Sequence, residues 1–129
     1  MRITLTGIHV DDQDKALRFY TEVLGFVPSQ NLPAGEYRWI SVRSADGGDT
    51  ELSLEPAAHP ASRAYMKARF DDGIPATSFE VDDVDAEFAR LTEAGVVFTR
   101  EPMDAGPVRI AVFSDTCGNL IQIHAHQSA

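Results

Sequence analysis

Apolar and polar side chains alternate at the start of the chain and then change to a helical spacing. Ile8 and Val10 alternate with small or polar neighbours, which is typical of a half-buried strand. The apolar positions of the next segment recur every three or four residues, at Leu17, Tyr20 and Leu24. Asp12 or Asp14 can cap this predicted helix, and Gly25 can end it. The pattern therefore predicts a strand followed by an amphipathic helix.

The second half of the chain repeats this order of segments. The run VDDQD at residues 10–14 recurs as VDDVD at residues 81–85, an offset of 71 because 81 minus 10 is 71. The pair TE follows at the same distance in both copies, at residues 21–22 and 92–93. A shared register of this kind indicates an internal duplication.

Three further strands are predicted after each helix, because apolar segments there are separated by turn residues. They cover residues 26–29, 36–43 and 50–55 in the first half, and 96–100, 108–114 and 120–126 in the second. Each half is thus a predicted βαβββ module. We expect one domain over residues 1–129, with halves 1–55 and 76–129 joined by a linker, 56–75, that contains a short helix at 61–70.

Composition narrows the classes of partner. The chain has 129 residues and a formal net charge of -9, with no basic stripe, which disfavours nucleic acid as a partner. The single cysteine, Cys117, excludes an intramolecular disulfide. No apolar run at the start is long enough for a signal peptide or a membrane span. We therefore expect a cytoplasmic protein that does not bind membranes.

Two motifs carry a resemblance to a known family. The stretch DKALRFYTEVLGF at residues 14–26 resembles the pattern AxxFYxxxLGF, and DTCGNLIQ at residues 115–122 resembles DPxGNxxE, with Thr116 where proline is usual. On these motifs the chain resembles the vicinal oxygen chelate superfamily of glyoxalases, extradiol dioxygenases and bleomycin-resistance proteins. The resemblance implies an α+β fold in which two βαβββ modules form curved mixed sheets that cup a cavity, with the helices outside.

The resemblance also implies where a metal would bind. In the enzymes of this family four side chains hold a divalent ion, and their positions here are Leu5, Glu51, Ala76 and Gln122. Leucine and alanine offer no lone pair, whereas Glu51 can coordinate and Gln122 can do so weakly through its amide oxygen. We therefore expect no cofactor at these positions and at most weak binding of a divalent metal.

Strand alternation predicts which side chains face the cavity. The predicted ligand-binding residues on that side are His9, Glu51, Ser53, Trp39, Gln122 and His124. His9 has an alternative interpretation as a solvated residue at the end of its strand. His124 lies about 7 Å along the strand from Gln122, displaced from the metal position, and has an alternative interpretation as a partly buried neutral histidine.

Glu51 has two interpretations, because a carboxylate in such a cavity is costly unless it is paired or used. It is either a general base or the partner of an arginine, for which the candidates are Arg38, Arg43 and Arg109. Several large side chains line the cavity or, as we expect for most of them, pack in the core: Trp39, Tyr37, Phe98, Met103 and Phe113.

Two classes of function remain open. In the first, which we favour, the protein is a binding module of the bleomycin-resistance type that sequesters or carries a small molecule without the family metal. In the second, it is a glyoxalase-like lyase or isomerase with Glu51 as the base, either without a metal or with one recruited through His9 or His124. A homodimer is expected in both cases, because an open sheet must be completed by another half, from the same chain or from a partner. The linker 56–75 permits either arrangement.

Overall fold

The computed structural model describes residues 1–127 and divides into two units, Met1–Tyr65 and Met66–Ala129, each with one four-stranded sheet. The first unit contains β1 (Leu5–Val10), α1 (Gln13–Arg18), β2 (Val27–Ala34), β3 (Tyr37–Arg43) and β4 (Glu51–Pro56). Helix α1 continues as a π-helical turn over Phe19–Val23. The strand order is β1-β4-β3-β2, with β1 parallel to β4 and the other neighbours antiparallel.

The second unit repeats this arrangement. It contains β5 (Thr77–Glu80), α3 (Val84–Glu93), β6 (Phe98–Ala105), β7 (Val108–Ser114) and β8 (Leu120–His126), in the order β5-β8-β7-β6. Along the sequence, α2 (Pro60–Asp71) follows β4 and precedes β5, at the place of the predicted short helix. The prediction of two βαβββ modules is confirmed. Within residues 1–127, no helix combines the length and the apolar character needed to cross a membrane.

Both module helices begin at an aspartate, as the repeat predicts. The Asp12 side chain accepts a hydrogen bond from the Lys15 backbone N–H at 3.0 Å, and the Asp83 side chain accepts one from the Ala86 N–H at 3.0 Å. Each bond satisfies one of the N–H groups left unpaired in the first turn of a helix. Asp12, and not Asp14, is therefore the cap of α1.

Two strands are longer than the sequence predicts, and both lie at a sheet edge. β2 extends to Ala34 and β6 to Ala105, although Pro33 and Pro102 interrupt them. Proline lacks an N–H, but an edge strand has one side without a neighbour, so the missing donor need not break the ladder. Irregular register near residue 29 in β2 and between Phe98 and Met103 in β6 accompanies this extension.

Each unit has its own apolar core between one face of its sheet and its helix. In the first unit Tyr20 is fully buried and packs edge-on against Phe19, with ring centroids 5.7 Å apart. In the second unit Phe113 is fully buried, and its ring centroid lies 5.4 Å from that of Phe98. These cores hold the strands in register, and they leave the opposite face of each sheet to carry the polar side chains.

Candidate functional site

The face of the first sheet turned away from α1 is called the first open face here, and strand register defines its members. Along β1 and β4, Leu5 is opposite Glu51, Gly7 is opposite Ser53, and His9 is opposite Glu55. The intervening residues Ile8, Val10 and Leu54 are buried on the helix side. Across the next pair of strands, Ser41 is opposite Ser53, and both serines are buried. The face thus combines the hydroxyl groups of two serines with two carboxylates, of which Glu51 lies beside the apolar Leu5.

The Glu51 carboxylate is held by hydroxyl groups. The Ser41 Oγ donates a hydrogen bond to Glu51 Oε1 at 2.6 Å. This bond, a second one from the Ser29 side chain and the charge of Arg43 hold the pKa of Glu51 below its ordinary value. A general base works best with a pKa near the working pH, so the environment of Glu51 favours a fixed anion over a proton acceptor.

Two of the three arginines proposed as ion-pair partners of Glu51 bind elsewhere. Arg38 forms its ion pair with Asp14. The Arg109 guanidinium lies 2.7 Å from an Asp85 carboxylate oxygen and 2.9 Å from one of Asp104. Arg43 remains as the arginine whose charge acts on Glu51, through its effect on the pKa of the carboxyl group.

Replacing Ser41 with alanine is expected to raise the pKa of Glu51, because the bond from Ser41 is the largest of the causes that lower it. The stabilisation that this bond supplies is present at neutral pH and is lost as the pH falls through the lowered pKa. NMR titration of the Glu51 side-chain carboxyl measures the change. Ser53→Ala, on the same face, is the matched control, and an equal pKa in both variants would contradict the assignment.

The residues at the family's metal positions do not fit a divalent ion. Leu5 of β1 is directly opposite Glu51 of β4, so the residue paired with this glutamate has a hydrocarbon side chain. In the second unit Ala76 lies one residue before β5, and the residue opposite Gln122 is Ser78. The Gln122 amide is engaged as well, since its Nε2 donates a hydrogen bond to Ser78 Oγ at 3.0 Å. The donors that remain are one carboxylate and one amide oxygen, fewer than a protein site for a transition metal normally uses.

Trp39 is a large aromatic side chain that the structure places on the first open face. It lies two residues from Ser41 on β3, opposite Leu32 of β2, and is 36% exposed. Tyr37, two residues further along the same strand, is exposed too. Phe98 instead packs against both Phe113 and Phe88, so these rings belong to the core of the second unit. Of these large side chains, Trp39 and Tyr37 are therefore exposed, whereas Phe98 and Phe113 pack in the core.

His9 and Glu55 lie at the end of the first open face. His9 is exposed at the end of β1, in agreement with its interpretation as a solvated residue. The Glu55 carboxylate occupies the space where a Cβ on Gly7 would be, so only glycine at position 7 lets this carboxylate lie across β1. Glu55 was not among the predicted site residues, although its alternation with Leu54 placed it on this face.

The corresponding face of the second sheet, the second open face, carries a hydrogen-bonded chain. The chain runs from Gln122 to Ser78 and from Ser78 Oγ to His124 Nδ1, which lies 2.6 Å away. Two further polar side chains stand at its end: Glu80, opposite His124, and His126, two residues along β8. Gln122 and His124 are among the predicted ligand-binding residues, whereas Glu80 and His126 are not. The parallel pairing of β5 with β8 is the feature that brings these two together.

Comparison with known proteins agrees with the duplicated fold. The YurT protein of Bacillus subtilis strain 168, described as uncharacterized, is 56% identical over 124 residues, which cover 95% of this chain and 98% of YurT. A probable lactoylglutathione lyase of Vibrio parahaemolyticus is 28% identical, over 99% of this chain and 93% of that protein. The crystal structure of TnmS3, an antibiotic binding protein from Streptomyces sp. CB03234, matches with a TM-score of 0.79 and 32% identity, over 98% of this chain and 97% of that one.

A family model covers almost all of the chain. The model of the Glyoxalase/Bleomycin resistance protein/Dioxygenase superfamily matches residues 2–123, which include both motifs of the sequence analysis. The duplicated βαβββ architecture and the similarity to TnmS3 agree with this match. The chain therefore belongs to the glyoxalase, bleomycin-resistance and dioxygenase superfamily.

Proposed function

We propose that this protein binds a small organic molecule bearing a planar aromatic group, and that it does so without the family's metal and without converting the molecule. The observation that carries the proposal is the pairing of Leu5 with Glu51, which puts a hydrocarbon where the family's enzymes have a metal ligand. The same open face presents Trp39, whose accessible ring can stack on a flat ligand. The similarity to TnmS3, an antibiotic binding protein, supports an antibiotic as the kind of ligand.

The polar residues of the open faces have roles in this proposal. Glu51 is an anion held by Ser41 and attracts a basic or hydrogen-bonding group of the ligand. On the same first open face, Ser53 and His9 supply further donors and acceptors to the ligand. Gln122 and His124 offer the same kinds of group on the second open face, where they remain predicted ligand-binding residues. A few placed polar groups among apolar ones are typical of sites that bind small molecules.

The alternative function is that of a glyoxalase-like lyase, and the similarity to probable lactoylglutathione lyases is its support. That reaction would need Glu51 as a base, whereas the hydroxyl groups around it lower its pKa. The adduct of methylglyoxal with glutathione tests this alternative directly. We expect no conversion above the uncatalysed rate, with or without added nickel or zinc.

Titration calorimetry with a panel of antibiotics tests the proposed function. The protein is first treated with a chelator, and bleomycin and planar antibiotics of the anthracycline and quinolone classes are then added. We expect at least one compound to bind with micromolar or tighter affinity and to change the emission of Trp39, the single tryptophan of the chain. Absence of binding across the panel, or binding that requires a metal at Glu51, would contradict the proposal.

A homodimer in the cytoplasm also belongs to this proposal. Each sheet has two edge strands, β1 and β2 in the first unit and β5 and β6 in the second, and proteins usually cover or pair such edges. Light scattering at micromolar concentration is expected to give twice the chain mass of 14.1 kDa. A mass equal to that of one chain would contradict the homodimer.

A further inference from the structure

Three side chains with metal-binding donors meet at one end of the second open face. Glu80 is the last residue of β5 and stands opposite His124 of β8, while His126 lies two residues further along β8 on the same face. One donor atom of each lies within 4.8 Å of the donor atoms of the other two. Within residues 1–127, these three form the group of histidine, cysteine, aspartate or glutamate side chains, three or more in number, whose donor atoms lie this close together.

The distances suit a site that closes on an ion by small side-chain rotations. His126 Nε2 and Glu80 Oε2 are 3.9 Å apart, which is too long for a hydrogen bond. Donors on a tetrahedral ion with bonds of about 2.1 Å are about 3.4 Å apart, so these two atoms need to approach by only a fraction of an ångström. Both side chains are about two-thirds exposed, at 70% for His126 and 69% for Glu80, so they can turn without displacing the core.

His124 is the more fixed member of the group. It is half-buried, and its Nδ1 lies 2.6 Å from Ser78 Oγ, which also accepts a hydrogen bond from Gln122 Nε2. A hydroxyl oxygen has two lone pairs, so Ser78 can accept both from Gln122 and from a protonated Nδ1 of His124. In that tautomer Nε2 of His124 carries the free lone pair that a metal requires. Histidine ligands commonly have their second ring nitrogen held in this way.

We propose that Glu80, His124 and His126 form a binding site for a divalent transition metal, with Ser78 as the residue that orients His124. Two imidazoles and one carboxylate are a donor set that suits zinc, iron(II), cobalt and nickel, and three protein ligands leave coordination positions open. This site is separate from the family's metal positions, because none of its three residues occupies the position of Leu5, Glu51, Ala76 or Gln122. His124 is the member of the site that the sequence suggested as a metal ligand. This metal site also goes beyond the proposed function. The two proposals fail independently, because the proposed function is tested on chelator-treated protein.

Titration of tag-free protein with two ions tests the proposal. Calorimetry measures the binding of zinc, and visible absorption measures the binding of cobalt(II). We expect one equivalent to bind with micromolar affinity. Glu80→Gln and His126→Gln are each expected to weaken binding by at least about a hundredfold, because each removes one of three ligands, whereas loss of a residue that only orients a ligand costs about tenfold or more. Ser78→Ala is expected to weaken it less and to leave the cobalt spectrum unchanged in shape.

Two matched controls locate the ion. His9→Gln removes an exposed histidine from β1, the strand that corresponds to β5, and Glu51→Gln removes the carboxylate at a family metal position. Both controls are expected to bind zinc as the parent does, and circular dichroism confirms that all variants fold. Binding weaker than millimolar in the parent, or binding that survives both Glu80→Gln and His126→Gln, would overturn the proposal.

Discussion

Replacement of Asp115 by alanine is expected to lower the free energy of unfolding by about 4 kcal/mol, because several donors in a buried turn lose their acceptor together. Asp115 is fully buried between β7 and β8. Its Oδ1 accepts hydrogen bonds from the backbone N–H groups of Cys117, at 2.7 Å, and Asn119, at 3.0 Å. Its Oδ2 accepts a third from Asn119 Nδ2 at 2.9 Å. Urea denaturation followed by circular dichroism measures the loss.

Asp115→Asn is the matched variant for this experiment. Its side chain keeps one oxygen for the two backbone donors but places an amide NH₂ against Asn119 Nδ2, so we expect a smaller loss than in Asp115→Ala. A loss below about 1 kcal/mol in the alanine variant would be within the range of an ordinary surface substitution and would contradict the role of Asp115. The turn matters for the site because it begins β8, the strand that carries Gln122, His124 and His126.

Replacement of Trp39 by alanine is expected to weaken binding of the antibiotic found in the panel by about thirtyfold, or about 2 kcal/mol, which is typical when a central aromatic contact is truncated. The ring is accessible on the first open face, next to Leu32 on the neighbouring strand and two residues from the buried Ser41. Its loss removes the largest apolar surface available to a flat ligand on that face. Titration calorimetry measures the change, since the variant has no tryptophan emission.

Two further variants separate stacking from general effects. Trp39→Phe keeps an aromatic ring, so we expect it to recover most of the lost affinity. Tyr65→Ala removes an exposed ring from α2, outside both sheets, and is expected to bind as the parent does. Equal affinities in the parent and in Trp39→Ala would show that the ligand does not contact Trp39.

The periodicity of the sequence predicted the duplicated modules because the core faces follow regular alternation. Ile8 and Val10, which the pattern placed on the inner side of a strand, are buried, and Asp12 and Asp83 cap helices at equivalent points of the repeat. The ends of β2 and β6 were not predictable in this way. Pro33 indicates a turn in a sequence, and only its position in an edge strand makes it compatible with a sheet.

Alternation along the strands predicts which side chains share a face, but it does not predict the contacts that they make. Alternation placed Glu51 and Ser53 on the open face, but the partners of Arg38 and Arg109 depend on how the helices pack and could not be derived from spacing. The resemblance places Ala76 and Gln122 together among the family's metal positions, whereas the register of β5 puts Ser78, and not Ala76, opposite Gln122. The register of a strand pair depends on the hydrophobic pattern and on the geometry of the turns, so a repeat in the sequence does not by itself fix it.

The turn before β8 shows a departure of the same kind. Thr116 stands where the family motif usually has proline, and its φ is 63°. The ring of proline fixes φ near -65°, so proline could not adopt this conformation. The motif therefore identified the turn correctly, while the backbone of this particular turn follows from its own residues.

Analysis of the ligand recovered from the complex tests the central proposal most directly. Chelator-treated protein is incubated with a large excess of the bound antibiotic, and the bound and free compound are then separated and identified by mass spectrometry. We predict that one equivalent per site is retained and that all of the compound, bound and free, is chemically unchanged. A divalent metal is then added back to the parent and to Glu51→Gln. Conversion of the excess compound by the metal-treated parent, but not by metal-treated Glu51→Gln, would contradict the proposal and would establish a metal-dependent enzyme.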